Sequence, residues 1–532
     1  MTIFRVLISR NVPTLFPKTS PPWRKGEVHF VVQQRGNVYV FIMKKILVYA
    51  ALAFAFVSVT ANAAPPHQAT GIKTGEITDT SAIVWTRLTR KAERNPGDGP
   101  WFEINYEGKF ERVKERKHRR DPVLGVRFEA PAKGVEDIQW AVPGVKGETR
   151  VKYRPKNSKD EWKQSTWAAV EAEWDFIRQH SLTNLQPGTP YEVVVESRSS
   201  DGEAGSNVSG GFTTAPSPDK ASRVEFAIST GQAFIDRNSD DGYVIYDSLL
   251  KQHPNLDFFV HTGDIVYYDR LAKTPELANY HWQRTYSLPT NVRFHNQVGS
   301  YFIKDDHDTW TNDCWPSMNA PEMGEFTFAQ GIDIFVKQVP MHGHQTYRTA
   351  RWGKDLQVWM VEGRDFRSPN TMEDGPEKTI WGAEQMAWFK KTFTESDAKF
   401  RILISPTPVV GPDRDKGKND NHSNKVFAHE GNQLREFLAS HKNAYVICGD
   451  RHWQYHSVHP EAGIHEFCCG PASNSHAGGW KKDDFREDYH RFLRVKGGYL
   501  SVLTDRTSDD KPVLFFRHHS ETGEVVNEVQ FE

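Results

Sequence analysis

Cysteine is scarce in this chain: four in 532 residues, Cys314, Cys448, Cys468 and Cys469. Their spacing contains no pair of Cys-x-x-Cys knuckles, which excludes a zinc ribbon. So few sulfurs also exclude a fold held mainly by disulfides. Long apolar runs are lacking as well. The most apolar stretch, 46–59, falls short of the ~20 residues that cross a bilayer as a helix. No charge of one sign dominates, the formal net charge being −1. Residues 1–64 hold eight Lys and Arg against one acidic residue, so the remainder carries a net charge of about −8. That balance excludes nucleic-acid binding through bulk charge and leaves room for a local anion site. There is no internal repeat and no long low-complexity tract.

What is present begins with an export signature. Residues 43–63 read Met-Lys-Lys, an apolar core, then Ala61-Asn62-Ala63. A basic start, a short greasy run and a small-residue cleavage site form the pattern of a secretory signal peptide. Met43 stands where such a peptide starts, so residues 1–42 read as an upstream extension without regular structure. The expected location is periplasmic or extracellular. In that compartment one or two disulfides are expected among the four cysteines, although Cys448 lies in a core-type strand and reads equally as a buried thiol.

Residues 65–216 read as a β domain. The segments 80–88 and 191–197 are rich in β-branched and aromatic residues, as strands are. Leu185-Gln186-Pro187-Gly188-Thr189-Pro190-Tyr191 places a turn directly before a strand-initial Tyr, the sequence form of a tyrosine corner in a Greek-key sandwich. With the closing segment 210–216, the region resembles a fibronectin type III-like β-sandwich. It carries an insertion at roughly 108–180, whose basic run 114–120 reads as a solvated loop or hairpin. A Pro-Ser-Pro-Asp-Lys linker at 216–220 marks the boundary. From 220 to 532, short apolar strands alternate with helical stretches, which predicts an α/β layered domain.

Three acid-rich clusters each follow an apolar, strand-like run. His261-Thr262-Gly263-Asp264-Ile265-Val266-Tyr267 follows 256–260, Lys304-Asp305-Asp306-His307-Asp308 follows 301–303, and Gly449-Asp450-Arg451-His452 follows 444–448. Asp and His at the carboxyl ends of sheet strands are where an α/β fold builds a metal or ligand site. Three such clusters, about 40 and 140 residues apart, predict one site assembled from distant strands. Gly263 lets the backbone turn close to a ligand just before Asp264, a carboxylate able to bridge two cations. Taken alone, Asp264 reads equally as a capping residue. Tyr267 can bind a ferric-type ion as phenolate or simply fill the core. Four ionisable residues in a row at 305–308 are costly to bury unpaired; a metal would offset that cost, and an exposed acidic turn would avoid it. Asn312 follows as a neutral oxygen ligand or phosphate contact. Asp450 and His452 share one face in extended chain, which suits two ligands. Arg364 and Arg367, after the strand 358–362, form a fork suited to an oxyanion, unless they pair with Glu362 or Asp365.

The Gly-Asp-x-x-Tyr box at 263–267, the Asp-Asp-His box at 305–307, the Glu362-x-Arg364-x-x-Arg367 segment and the Gly-Asp-x-His box at 449–452, in this order behind such a front domain, resemble the alkaline phosphatase D (PhoD-like) family of metallophosphatases. The resemblance covers nearly all of 65–532. It implies a calcineurin-like metallophosphatase α/β/β/α sandwich at 220–532 behind the fibronectin type III-like domain, and a multinuclear site of iron with calcium. It also implies export and hydrolysis of a phosphoester, monoester or diester, small molecule or polymer, by metal-activated hydroxide. By position it implies Asp264 as the bridging ligand, Tyr267 as the phenolate ligand, and Asp306, Asp450 and His452 as further ligands. His307 is implied to assist the leaving oxygen and Arg364 to stabilise charge on the phosphoryl oxygens, with Asn312 and Arg367 toward the substrate. No nucleic-acid or membrane partner is implied. One departure bears on the metals. The family's first strand usually ends Ser-Cys-Gln, its Cys ligating the iron, whereas Ile228-Ser229-Thr230-Gly231-Gln232 puts Gly231 at that position. Losing a soft ligand favours a harder, oxygen-ligated metal or a weaker first site, and Asp236, a few residues on, could take its place. Glu362 stands where the family usually has Asp.

Two other readings compete: a family member that binds without turnover, and a metal-dependent hydrolase of another ester such as a sulfate ester. A sulfatase of the formylglycine type needs a Cys/Ser-x-Pro/Ala-x-Arg motif, which Cys314-Trp315-Pro316-Ser317-Met318 does not supply.

Overall fold

The computed structural model describes residues 27–34, 37–44, 64–116, 119–413, 420–481 and 485–532. Residues up to Ala63 form one unit and Ala64–Glu532 another. In the first, Glu27–Gln34 and Asn37–Lys44 pair antiparallel with Gln34 opposite Asn37. Regular structure therefore occurs before Met43, where none was expected. The reason is legible in the composition of the two segments, rich in Val, Ile, Phe and Tyr, the β-branched and aromatic residues that favour strands. From residue 45 to 63 the expected signal segment lies outside the described residues. No helix among the described residues is long and apolar enough to cross a membrane.

The region 64–216 is β-rich. One antiparallel sheet orders Ile177–Leu182, Ala82–Arg87 and Ile72–Gly75. A second orders Ala168–Val170, Gly147–Pro155, Pro190–Arg198 and Ala204–Thr213, with Lys163–Gln164 also paired to Gly147–Pro155. Val84 of the first sheet and Val151, Val193 and Val195 of the second are buried in one cluster, as alternate residues of facing strands should be. The Tyr191 hydroxyl accepts the Gln186 backbone N–H at 2.9 Å. The insertion is more than a loop. Phe102–Tyr106 pairs with both Lys109–Arg112 and Val123–Phe128, and Trp101, Phe102 and Ile104 pack on Leu277 and Tyr280 of the helix Pro275–Tyr286. At the edge of its basic run, Arg116 donates to Asp236 at 2.8 Å and Glu115 accepts from Arg284 at 2.5 Å.

Beyond residue 216 two sheets face each other. The first has six strands in the order Ser300–Ile303, Phe258–Thr262, Val224–Ser229, Gly498–Arg506, Pro512–Ser520, Val525–Phe531, its first three parallel. The second has seven, in the order Arg348–Trp352, Leu356–Met360, Phe400–Ser405, Ala444–Cys448, His465–Cys469, Gln454–Val458, His490–Arg494, parallel from Leu356–Met360 to His465–Cys469. Strand parity assigns the layers. Phe226, Ile228, Phe258 and Val260 meet Ile402, Ile404, Ile447 and Phe467 between the sheets. Their sequence neighbours Ala227 and Phe259 pack under the helix Val244–Gln252. Leu403 and Val446 pack under the helices Gly382–Glu395 and Ala428–Ala439. Strands buried on both faces are continuously apolar, as parallel strands covered by helices are, and each large apolar side chain sealed here stabilises the fold by roughly 1.5–3 kcal/mol. The result is an α/β/β/α stack. All four cysteines are buried free thiols, so the disulfides expected of an exported chain are not formed; Cys448 and Cys468 sit with Trp453 and Tyr455 in an apolar cluster.

The parallel strands of both sheets end at one edge. There the Gly231 N–H donates to the Gly263 carbonyl within the first sheet, and the Asp450 N–H donates to the Thr230 hydroxyl, each at 3.3 Å; the second bond ties a strand end of one sheet to that of the other.

Candidate metal centre

Asp264 and Asp450 both hold the left-handed conformation, φ 55° and 59°, which few residues other than Gly, Asn and Asp adopt readily. Gly263, at φ 99°, precedes the first. A Cβ on Gly263 would stand 2.6 Å from the Asp305 Cβ, so only glycine lets the first two acidic clusters touch. Asp264 is buried. Its Oδ2 accepts the Tyr267 hydroxyl at 3.0 Å and lies 3.4 Å from His452 Nε2, while its Oδ1 has no partner. Asp308 clamps the two clusters together by accepting the Ile265 N–H at 3.0 Å and the Asp305 N–H at 2.6 Å.

On one side of Asp264 stand a phenol and imidazoles. The Tyr267 hydroxyl is 2.5 Å from His476 Nε2 and 3.3 Å from His452 Nε2. The other nitrogen of His476 is 2.9 Å from Asp236 Oδ2. Burial, together with the neighbouring His452, pushes the His476 imidazole down to about 4. Burial and the Asp264 charge hold the Tyr267 phenol well above its usual value. His307 lies over the Tyr267 ring with centroids 4.3 Å apart, and its Nδ1 is 3.3 Å from Asp269. Burial would lower the His307 pKa, but Asp269, Asp306 and Asp264 outweigh it and hold the imidazole well above its ordinary range.

On the other side carboxylates meet a guanidinium. Arg364 Nε donates to Asp305 at 2.6 Å, and its Nη2 lies 3.7 Å from Asp306, all three side chains being buried. Among the described residues, neither terminal nitrogen of Arg364 has a hydrogen-bond partner, nor does Asp305 Oδ2. Burial pushes Asp264 up to about 6 and Asp308 up to about 8. Asp305 is held well above the usual carboxylate range by burial and by Asp306, Asp450 and Asp264, against the pull of Arg364. One ligand atom each from Asp264, Asp306 and His307 lies within 4.8 Å of the others. These residues fit a metal. A buried carboxylate oxygen such as Asp264 Oδ1, without a hydrogen bond among the described residues, suits a cation, and a set of carboxylate, phenol and imidazole donors matches hard to borderline ions.

The structure thus brings Asp264, Tyr267, Asp306, His307 and His452 within a few ångströms of one another. Asp450 borders them, its charge raising the Asp305 pKa. It does not share an extended face with His452, because its left-handed backbone turns the carboxylate onto Arg451 at 2.6 Å. Arg364 pairs with Asp305 rather than with Glu362 or Asp365, which instead hold the buried Lys304 at 2.8 and 2.5 Å. Arg367 stands apart from the donors. Its guanidinium donates to Asn370 and to the Asp420 carbonyl and covers the Phe427 ring, and burial beside Arg364 lowers it to about 10. Asn312 is half-buried and, among the described residues, makes no hydrogen bond to the cluster. The backbone N–H of Asp313 instead donates to Asp306 at 2.6 Å. Asp236 does not enter the centre in place of the absent thiolate, since one of its oxygens faces Arg116 and the other His476. His476, Asp269 and the pairing of Asp305 are the residues that sequence reasoning missed. Asp305 and Asp269 lie within or just beyond quoted motifs, whereas His476 sits in a loop whose pattern carries no signal.

A family model described as PhoD-like phosphatase matches residues 226–501. The fold is similar to a solved structure of PhoD at 15% identity and a TM-score of 0.63, covering 88% of this chain and 94% of that one. It is similar also to the purple acid phosphatase PPD1 isolated from yellow lupin (Lupinus luteus) seeds, at 13% identity and a TM-score of 0.54, covering 95% of this chain and 79% of that one. At these identities the structural likeness speaks for the fold. No curated protein matches the sequence.

Proposed function

This chain belongs to the PhoD-like phosphatase family, and from that premise we propose that it is an exported, metal-dependent phosphoester hydrolase acting on monoesters or diesters. The observation that carries the reading is the convergence of Asp264, Asp306 and His307, with ligand atoms within 4.8 Å of one another, beside Asp264 Oδ1 and Asp305 Oδ2, which make no hydrogen bond among the described residues. The metals would be held by Asp264, Asp306, Asp450, Tyr267 and His452, with iron and calcium the pair that the family resemblance favours. When bound, they supply acidification of a water and neutralisation of phosphoryl charge. The protein's own groups do the rest. The two terminal nitrogens of Arg364, which make no hydrogen bond among the described residues, are offered to phosphoryl oxygens, a bidentate match that Lys does not reproduce. His307, its Nδ1 3.3 Å from Asp269, is oriented to give a proton to the leaving oxygen.

Export to the periplasm or outside the cell is supported by the Met-Lys-Lys, apolar core and Ala-Asn-Ala order at 43–63. A fibronectin type III-like front domain is supported by the two antiparallel sheets of 64–216 and by the Tyr191 bond to Gln186. The test is metal analysis of the purified protein, paired with hydrolysis of a chromogenic phosphomonoester and a phosphodiester. Metal-dependent turnover of either is expected. Turnover of neither by metal-loaded protein, or a rate unchanged in Asp264→Ala, overturns the reading.

A further inference from the structure

We infer that His476 is a ligand of the metal centre and that Asp236 positions it, the imidazole filling the place beside Tyr267 that Gly231 leaves open. The inference rests on the reading of the site given above. His476 is 8% exposed and belongs to the loop that follows the strand His465–Cys469. Its Nε2 is 2.5 Å from the Tyr267 hydroxyl, and its ring centre is 4.2 Å from that of His452. Tyr267 and His452 themselves reach Asp264 Oδ2, at 3.0 and 3.4 Å. One carboxylate, one phenol and two imidazoles from three separate segments therefore point at a single small volume, a donor set suited to a transition ion.

The far side of His476 is built in the manner of a metal-binding histidine. Its Nδ1 is 2.9 Å from Asp236 Oδ2. A carboxylate there fixes the tautomer with the proton on Nδ1, turns the Nε2 lone pair toward the centre and raises its basicity. Asp236 is fixed in turn, its other oxygen accepting from Arg116 at 2.8 Å and its backbone carbonyl accepting the Ser473 hydroxyl at 2.6 Å. Gly231 supplies the space. Its φ is +46°, and a Cβ there would stand 3.1 and 3.3 Å from His476 Cδ2 and Nε2 and 3.5 Å from His452 Cδ2. A side chain at 231 and the imidazole at 476 compete for one place, so the donor absent from the first strand is supplied as nitrogen from a loop.

The experiment uses the full chain stripped with chelator and titrated with Co2+. It reads cobalt bound per chain, affinity by chelator competition, and the visible absorption of the bound ion. Asp236→Asn is expected to weaken cobalt binding by ~10–100-fold, the usual loss when a supporting carboxylate is removed from a ligand histidine. His476→Ala should lose more than that, and both should alter the absorption. His476→Gln, which keeps the space filled, carries the test if the alanine variant does not fold. Gly231→Ala removes no donor, yet should weaken binding by displacing the imidazole. If the wild-type protein takes up no cobalt, this inference and the proposed metal-dependent function fall together. If the wild type binds cobalt and the His476 variants or Gly231→Ala bind it with unchanged affinity and absorption, the proposed function stands and this inference alone is overturned.

Discussion

Glu466 and Asp264 are both fully sealed carboxylates, and their surroundings treat them in opposite ways. Glu466 lies in the strand His465–Cys469 and accepts the backbone N–H groups of Val409, Val410 and Gly411 at 2.7–2.8 Å and the Tyr455 hydroxyl at 2.8 Å. Every oxygen is satisfied by neutral donors, and its task is to anchor the 409–411 loop to the sheet. Asp264 sits at a strand end in a left-handed conformation, with one oxygen orphaned and other carboxylates close by. A buried carboxylate can be made comfortable, and this fold does so at Glu466. Leaving Asp264 uncomfortable is therefore the mark of a site awaiting a cation, not of a chain unable to satisfy its polar groups.

Substitution separates the two carboxylates. Glu466→Ala leaves three buried N–H groups without an acceptor, at ~1–3 kcal/mol each, and is expected to lower stability by several kcal/mol in a urea or thermal melt. The bound metal per folded chain should not change; a mild loss of stability would break the contrast. Asp264→Ala should do the reverse in function. It removes the several kcal/mol that metals supply to the transition state, ~10³-fold or more in kcat/KM at 1.36 kcal/mol per decade, read with a chromogenic phosphoester. Arg364→Ala comes next. Loss of a preorganised donor to the phosphoryl oxygens costs ~10²–10³-fold, and Arg364→Lys should recover little because the fork between Asp305 and the substrate needs a planar guanidinium. Full recovery by Lys would show Arg364 to be a simple counter-charge for Asp305.

The same contrast explains what the sequence could disclose. Val224–Ser229, Phe400–Ser405 and Ala444–Cys448 are readable because strands buried on both faces leave mostly apolar runs, interrupted here only by Glu225 and Arg401 near the strand starts. Asp264, Asp306, Asp450 and His452 are readable because each follows such a run. His476 has no such marker. It lies in an irregular loop, and its partner Asp236 is 240 residues away in sequence, joined to it only when the strand ends are tied. The roles of Arg364 and Arg367 were equally hidden. A fork at a strand end looks the same whether its nitrogens meet Asp305, as in Arg364, or Asn370 and a carbonyl, as in Arg367. The β-branched and aromatic residues of 27–44 were present in the letters, but scattered Pro, Gly and basic residues in the surrounding stretch obscured them.

The smallest effect is also the sharpest test of the comparison, because its sign is unusual. In protein stripped of metal, the folded pKa of Asp264 is about 6, above the ordinary ~3.9 of an unfolded Asp. The folded state then binds the proton more tightly than the unfolded state, so ionising Asp264 destabilises the fold. The penalty is absent below about pH 4, grows as pH rises through 6, and levels off at about 3 kcal/mol. Asp264→Asn carries no charge and escapes it. Metal-free Asp264→Asn is therefore expected to melt at a higher temperature than metal-free wild type at pH 8, with the advantage fading between pH 6 and 4. Adding metal should reverse the order at pH 8, since only the wild type gains a ligand-bound state. Glu466→Gln should be no more stable than wild type at either pH, because its amide nitrogen would face N–H donors where an oxygen accepts them now. If Asp264→Asn were less stable than metal-free wild type at pH 8, Asp264 would be a satisfied structural carboxylate like Glu466, and the case for a cation at this edge of the sheets would fail with it.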